Sequence, residues 1–225
     1  MCNDVDVLGV SESWLNSEID DAIIQIPGFD SVRCDSSSGI RKHGVLVYVI
    51  NSLKFEVITS HVLNLICIYL IDFRLYCINV YRPPSSTDEE NSLLLTFLGD
   101  FCDSSEVCVL GDFNLPSLDW TSGSPTNNYN TPVDRQFLDC FTSVGLTQMI
   151  NEPTNFPSCT TIDLCLVTDE ERVGQCEVLP PLPQCTHGPI KMLYTYQQFE
   201  DHIPMGPETV KLKVRKSGIV QTLRV

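Results

Sequence analysis

Long apolar runs, glycosylation sites and secretory features are missing from this chain of 225 residues. The apolar stretch 62–70 is far shorter than the roughly 18 residues a membrane-spanning helix needs, and Asp72 and Arg74 follow it closely. The first residues, Met-Cys-Asn-Asp-Val-Asp, contain no basic region of the kind that begins a signal peptide, and no Asn-x-Ser/Thr sequence occurs. We therefore expect an intracellular protein, nuclear or cytoplasmic, that does not associate with membranes.

Closely spaced cysteine pairs are also missing, although the chain contains 11 cysteines. No Cys-x-x-Cys sequence occurs, and Cys67, Cys77, Cys108 and Cys165 stand inside apolar runs. A thiol in such a run packs as a small hydrophobic group. The pattern predicts reduced core cysteines rather than a disulfide framework or a zinc site.

Positively charged residues are scarce. The chain has 14 Lys and Arg but 29 Asp and Glu, which gives a net charge of −15. The distribution is uneven as well. Five of the basic residues lie in the last fifteen positions, so residues 1–210 carry nine basic against 29 acidic side chains, or −20. Proteins that follow a phosphate backbone normally carry a basic surface. Tight non-specific binding to DNA is therefore not expected.

The apolar periodicity predicts more strands than helices. The predicted strands are residues 4–10, 45–50, 54–58, 63–70, 75–80, 107–110, 161–167 and 187–194. One helix follows a capping box formed by Thr87 and Glu90, and a second begins at Thr131-Pro132 and ends at Gly145. Residues 16–26 are expected to form a short helix or turn, and residues 34–44 a loop.

Both hairpins and crossovers are implied by this order of elements. An α/β fold in which two mixed sheets pack face to face, with helices outside, would cover each apolar strand on both sides. We expect this four-layer sandwich to occupy residues 1–195. Residues 196–225 are expected to form a poorly ordered basic tail.

Candidate functional residues follow the apolar run Val107–Leu110, which leads into Gly111-Asp112-Phe113-Asn114. A carboxylate and a carboxamide two residues apart at the end of a strand point the same way. Together they could hold a divalent metal ion and a phosphate oxygen. Taken alone, this tetrapeptide is also an ordinary polar turn.

Five short segments follow one another along the chain, and their joint occurrence in this order is far more specific than any one of them alone. They are Ser11–Leu15, Val80–Pro84, Gly111–Asn114, Thr161–Leu164 and Cys185–Ile190. This set resembles the endonuclease/exonuclease/phosphatase superfamily. More narrowly, the sequences SESWLNSEIDDAIIQIPGF, VYRPPSS and IDLCLVT are similar to the apurinic-type endonuclease domain of non-LTR retrotransposons. The resemblance covers roughly residues 4–195.

The resemblance implies a role for each of six residues. Glu12 corresponds to the glutamate that binds Mg²⁺ or Mn²⁺, and Asp112 to the aspartate that orients or deprotonates the attacking water. Asn114 and Tyr81 correspond to groups that hold phosphate oxygens. His187 corresponds to the histidine that protonates or stabilises the phosphorane, and Asp163 to the aspartate that orients its imidazole.

The chain also departs from the family pattern at several positions. The usual aspartate before the last histidine is replaced by Thr186, and a usual arginine is replaced by Asn155. The first strand of the family, which ends in an asparagine, has no counterpart before residue 4. The resemblance therefore implies an N-terminally truncated domain, and we expect its first sheet to expose an unpaired apolar edge and the protein to be poorly soluble.

Two functions remain open at this stage. One is a Mg²⁺-dependent phosphodiesterase that nicks DNA to prime reverse transcription. The alternative is a catalytically inactive remnant that keeps the fold, which the change at Thr186 and the negative charge favour. An enzyme of the superfamily that acts on phosphoinositides or sphingomyelin would also suit an acidic chain. The segments that are similar to the non-LTR retrotransposon endonucleases do not support this function. No obligate protein partner is implied.

Overall fold

The computed structural model describes residues 5–35, 43–102, 105–118, 120, 131–196 and 208–216. The strands are β1 (Val7–Ser11), β2 (Phe29–Cys34), β3 (Val45–Ile50), β4 (Phe55–Ile58), β5 (Leu65–Leu70), β6 (Leu75–Tyr81), β7 (Glu106–Asp112), β8 (Thr147–Gln148), β9 (Asp163–Val167), β10 (Val173–Val178), β11 (Ile190–Tyr196) and β12 (Glu208–Lys216). The α-helices are α1 (Asp21–Ile24), α2 (Asp88–Cys102) and α3 (Pro132–Ser143).

The strands form two six-stranded mixed sheets. The first sheet has the order β10-β11-β12-β1-β3-β2, and the second has the order β4-β5-β6-β7-β9-β8. Among the described strands, β1 and β12 are parallel, as are β6 and β7, and the other neighbours are antiparallel. The expected fold of two mixed sheets is confirmed.

The main core lies between the two sheets. Alternate residues of β3 and β5 point into it, and they include Val45, Val47, Ile66 and Ile68. Tyr194 from β11 is fully buried in the same cluster. Since successive side chains of a strand point to opposite faces, the other residues of these strands must be covered from outside.

Helices cover the outer face of the second sheet. Leu94 and Leu98 of α2 and Phe137 and Phe141 of α3 pack there against β7 and β9. The predicted capping box of Thr87 and Glu90 is present at the start of α2. The second helix begins after Thr131 with Pro132, as predicted, and Thr131 also forms a capping box with Asp134. A smaller cluster lies on the outer face of the first sheet. It includes Leu15, from the loop after β1, and Ile24, from the short helix α1.

The expected unpaired edge at β1 is wrong, because β12 lies beside it. Val7 to Ser11 pair in parallel register with Leu212 to Lys216, and β3 covers the other side. Residues 208–216 belong to the segment that the sequence analysis treated as a poorly ordered tail. The missed signal is an alternation of Val210, Leu212 and Val214 with basic residues, a period of two that is typical of a strand with one buried face.

Three further strands were not predicted. Two of them, β2 with the sequence FDSVRC and β10 with the sequence VGQCEV, lie at opposite edges of the first sheet and are half exposed. The third, β8, has only two residues and lies at an edge of the second sheet. Most of the loop expected at residues 34–44 lies outside the described residues. None of the helices in the described part of the chain is long and apolar enough to cross a membrane.

Candidate functional site

Four strand ends bring the candidate residues to one end of the two sheets. In the second sheet, Tyr81 ends β6 and pairs with Asp112 at the end of β7, which in turn pairs with Asp163 at the start of β9. In the first sheet, Glu12 directly follows β1. The Oγ atom of Ser11 donates a hydrogen bond of 3.2 Å to the carbonyl oxygen of Val80, and this contact joins the two strand ends across the core.

Asp163 and His187 form a buried hydrogen-bonded pair. The distance from His187 Nδ1 to Asp163 Oδ2 is 2.6 Å, and each side chain is only 6% exposed. Ligating atoms of Asp112, Asp163 and His187 all lie within 4.8 Å of one another. These three residues, which are far apart in the chain, therefore meet at one place.

A short segment, residues 154–156, holds this pair in position. Thr154 Oγ1 accepts hydrogen bonds from the backbone N–H of Ile162 (3.1 Å) and Asp163 (3.0 Å). The carbonyl oxygen of Thr154 accepts from the N–H of Gly188 at 2.8 Å, just after His187. One buried threonine thus links the segment that carries the aspartate to the segment that carries the histidine.

Asn155 contacts the other side of the imidazole. Its Nδ2 atom lies 2.9 Å from Nε2 of His187. The backbone of Asn155 also forms isolated bridges to His187 and Thr160. In the sequence, Asn155 stands out only as a departure from the family pattern. Its contact joins residues 32 positions apart, and no local pattern reveals such a contact.

Glu12 and Tyr81 form a second pair at the same end of the sheets. The Tyr81 hydroxyl donates a hydrogen bond to the Glu12 carboxylate. Burial raises the pKa of Tyr81 strongly, and the hydrogen bond to Glu12 and the negative charges of Glu12 and Asp112 raise this pKa further. Tyr81 therefore remains a neutral hydrogen-bond donor at physiological pH. Glu12 itself has the left-handed backbone conformation, with φ of 51°.

The turn that follows β7 depends on glycine at position 111. A Cβ atom there would lie 1.9 Å from the carbonyl oxygen of Val80, and the φ angle of Gly111 is +150°. Asn114, with φ of 49°, donates from its backbone N–H to Asp112 Oδ1 at 3.1 Å. Its Nδ2 donates to the carbonyl oxygen of Arg82 at 3.0 Å. The amide and the carboxylate therefore share one tight turn.

Arg82 fixes this turn from the second sheet. Its Nη1 donates to the carbonyl oxygens of Phe113 (3.0 Å) and Asn114 (3.2 Å), and its Nε donates to Asn91 Oδ1 at 2.7 Å. Burial lowers the pKa of Arg82, while the charges of Asp134, Asp112 and Glu90 oppose this shift. In the sequence, Arg82 belongs to the segment VYRPPSS, which does not by itself indicate a role for this residue.

Thr186, the replacement for the expected aspartate, is exposed beside His187. Its carbonyl oxygen accepts a hydrogen bond of 3.0 Å from the N–H of Phe156. A hydroxyl group cannot supply the negative charge of a carboxylate. The site therefore has the acidic side chains Glu12, Asp112 and Asp163, without a fourth at position 186.

The donor set fits a hard divalent cation. Carboxylate oxygens at strand ends are the ligands that Mg²⁺ and Mn²⁺ prefer. Asp112, Asp163 and His187 are close enough to share an ion, but the 2.6 Å contact already joins Asp163 to His187. Glu12, whose charge acts on Tyr81 at the same end of the sheets, is a further carboxylate that could bind such an ion while the His187–Asp163 pair stays intact.

The fold is that of nucleases of the apurinic-endonuclease and retrotransposon type. An AP endonuclease from Leishmania major superimposes with a TM-score of 0.63 at 15% identity, over 83% of this chain and 77% of that one. The catalytic domain of Xenopus laevis APE2 gives 0.61 at 15%, over 93% and 85%. The endonuclease domain of TRAS1, a telomere-specific non-LTR retrotransposon, gives 0.59 at 12%, over 81% and 94%.

Family membership follows from the sequence itself. Residues 75–190, slightly more than half of the chain, match the family described as endonuclease–reverse transcriptase. The chain belongs to this family, within the endonuclease/exonuclease/phosphatase superfamily. No curated protein matches the chain.

Proposed function

We propose that this protein is a metal-dependent phosphodiesterase that nicks DNA in the manner of a retrotransposon endonuclease. The observation that carries this proposal is the buried His187–Asp163 pair beside Asp112, at 2.6 Å between the paired atoms. A buried carboxylate–histidine pair next to a second carboxylate is an arrangement for moving protons at a reacting group. Family membership and the fold agree with this chemistry.

Each side chain then has one task in hydrolysis. Asp112 orients a water molecule and takes its proton as the water oxygen bonds to phosphorus. His187, held by Asp163, delivers a proton to the oxygen that leaves when the second P–O bond breaks. Tyr81 and Asn114 hold non-bridging oxygens. Glu12 would hold Mg²⁺ or Mn²⁺, which would supply positive charge against the charge that develops on the phosphate.

Nicking of supercoiled plasmid DNA tests this function. We expect conversion to open circles in Mg²⁺ or Mn²⁺ and none in EDTA. His187→Ala should lower the rate about 10²–10⁴-fold, the usual contribution of a positioned proton-transfer group. His61→Ala is the matched control, because His61 is exposed and forms no part of the site. Equal rates in the two variants would contradict the proposal.

A catalytically inactive remnant is the second candidate, and two observations favour it. Thr186 leaves the site without the carboxylate that the family pattern places there. Asn155 Nδ2 lies against Nε2 of His187, the nitrogen that would have to face the leaving oxygen. A folded wild-type protein that does not nick DNA in either metal ion would establish this alternative.

A further inference from the structure

A cluster of sulfur-bearing side chains lies in the core between the two sheets. Cys165 belongs to β9 of the second sheet, whereas Cys176 and Met192 belong to β10 and β11 of the first sheet. Cys165 and Met192 are fully buried, and Cys176 is partly buried against the same core. None of the three side chains has a task in the hydrolysis proposed above.

The three side chains are mutual neighbours. Sγ of Cys165 lies 3.3 Å from Sδ of Met192, and a hydrogen bond joins the thiols of Cys165 and Cys176. Cys176 and Met192 are directly opposite each other in the antiparallel pair of β10 and β11. The Cβ atoms of such cross-strand neighbours are typically about 4.5–5.5 Å apart. The fold therefore places two thiols and one thioether around a single point.

A further thiol supports this cluster from the second sheet. Cys108 lies on β7, the strand that pairs with β9. Its thiol forms a hydrogen bond with Cys165, and its side chain is fully buried in the same core. Cys165 is therefore held by sulfur atoms on both sheets.

These donors favour a soft cation. Thiolate and thioether ligands select Cu(I) over hard cations such as Mg²⁺. Zinc sites are built from cysteine, histidine and carboxylate ligands, and a methionine thioether does not belong to that set. The sulfur cluster thus differs in chemistry from the oxygen and nitrogen donors at the strand ends.

A cation can reach the cluster through Cys176. This residue lies on β10, an edge strand of the first sheet, and its side chain is only partly buried. The thiol nearest to solvent is thus also a neighbour of the two fully buried sulfur atoms. Burial of Cys165 and Met192 would keep water away from an ion bound there.

We propose that Cys165, Cys176 and Met192 form a binding site for Cu(I). The ion replaces the thiol protons of Cys165 and Cys176, which pass to solvent. Met192 contributes a lone pair of its thioether and has no proton to lose. Because the ligands come from both sheets, the bound ion joins the sheets and stabilises the folded state. The proposed function does not enter this inference, since hydrolysis uses none of the three residues.

Titration of the reduced full chain with Cu(I) tests the site, under anaerobic conditions and in competition with bathocuproine disulfonate. We expect the wild type to take Cu(I) from the chelator and to melt at a higher temperature with the ion than without it. Met192→Leu retains the volume of the side chain and should weaken binding at least about tenfold, since even outer-sphere partners of a metal ion contribute about 10–100-fold. Cys176→Ala should weaken binding as well.

Cys67→Val is the matched control. It also removes a fully buried thiol of the second sheet, but from the core between this sheet and the helices, and it should bind Cu(I) as the wild type does. The exposed Cys159 is present in every variant, so binding there cannot produce this pattern. The inference is overturned if the folded wild type takes no Cu(I) from the chelator, or if Met192→Leu and Cys176→Ala bind as tightly as Cys67→Val.

Discussion

Asn155 Nδ2 lies 2.9 Å from Nε2 of His187, and this contact determines which imidazole nitrogen carries the proton. Ser158 N–H donates to Asn155 Oδ1 at 3.3 Å, so the amide nitrogen, and not its oxygen, faces the ring. An amide nitrogen can only donate. Nε2 must therefore accept, and the proton of a neutral His187 lies on Nδ1, directed at Asp163.

The first prediction follows from this tautomer. In ¹⁵N spectra of the histidine side chains, neutral His187 should show a protonated Nδ1 and an unprotonated Nε2. Asn155→Ala removes the donor that occupies Nε2, so that this nitrogen can take up a proton and pass it to the leaving oxygen, and we expect plasmid nicking to increase. An Nε2-protonated ring in the wild type would contradict the assignment. Ser158→Ala retains the backbone N–H and serves as the control.

The second prediction concerns Thr186. Thr186→Asp restores a carboxylate next to His187, and we expect the nicking rate to rise by about 10²–10³, the usual effect of one preorganised polar group. Thr186→Asn has the same shape without the charge and should not reproduce the gain. Rates of plasmid nicking in Mg²⁺ provide the comparison. Vigorous wild-type activity that Thr186→Asp leaves unchanged would mean that the threonine is tolerated.

The third prediction concerns the turn held by Arg82. Lysine is a point charge on a flexible stem and cannot reproduce the planar fork that reaches Asn91 and two carbonyls. Arg82→Lys should lower the free energy of unfolding by about 2–3 kcal/mol, because buried acceptors lose their donors. Urea denaturation measures the change. Arg135→Lys, at an exposed position of α3, should stay within about 0.5 kcal/mol of wild type.

The fourth prediction separates β12 from the residues that follow it. Deletion of residues 197–225 removes β12 and leaves β1 and β11 with unpaired inner edges, which promotes aggregation. We expect a low yield of soluble protein and loss of the cooperative thermal transition. Deletion of residues 217–225 retains β12 and should preserve both properties. Equal behaviour of the two truncated proteins in size-exclusion chromatography and thermal melts would show that β12 is dispensable.

The fifth prediction concerns alkaline pH. Burial raises the pKa of Cys67 to about 12. Burial also raises the pKa of Cys77. The thiols of an unfolded chain, in contrast, have a pKa of about 8.5. Above that pH the folded state retains protons that the unfolded state loses. Stability is therefore fully present below about pH 8.5 and falls as pH rises, by about 1.4 kcal/mol per pH unit for each such thiol.

Urea unfolding between pH 8 and pH 10, in the presence of a phosphine reductant, measures this slope. Cys67→Val removes one of these thiols from the core between the second sheet and the helices. The change should reduce the slope of stability against pH by about 1.4 kcal/mol per pH unit, the contribution of one proton. Ile68→Val, at the neighbouring buried position, changes the core volume without removing a titrating group. An unchanged slope in Cys67→Val would contradict the prediction.

The sequence predicted those parts of the fold whose apolar pattern is local. The strand at residues 45–50 was placed correctly, and the capping box at Thr87 located the start of α2. The edge strands β2 and β10 were missed because half-exposed edges need no continuous apolar run. β12 was missed although it has a clear period of two, because its basic residues made the segment resemble a tail.

Only those site residues that belong to the five ordered sequence segments could be predicted. Asp112, Asp163 and His187 were found from the order of five segments, and the structure brings them together. Thr154 and Arg82 position these groups through hydrogen bonds to backbone atoms. Such contacts depend on where distant segments pass each other in three dimensions. Residue type alone does not encode them, so neither residue could be assigned a positioning role beforehand.

The parallel pairing of β1 with β12 has a consequence for synthesis on the ribosome. Val7 cannot pair with Leu212, its register partner, until the ribosome has added residue 212, so the middle of the first sheet cannot form before then. At translation rates of about 5–20 residues per second, this interval lasts roughly 10–40 s. Until then, the edge of β1 that β12 covers stays unpaired. Nascent chains stalled before residue 208 should therefore remain sensitive to protease.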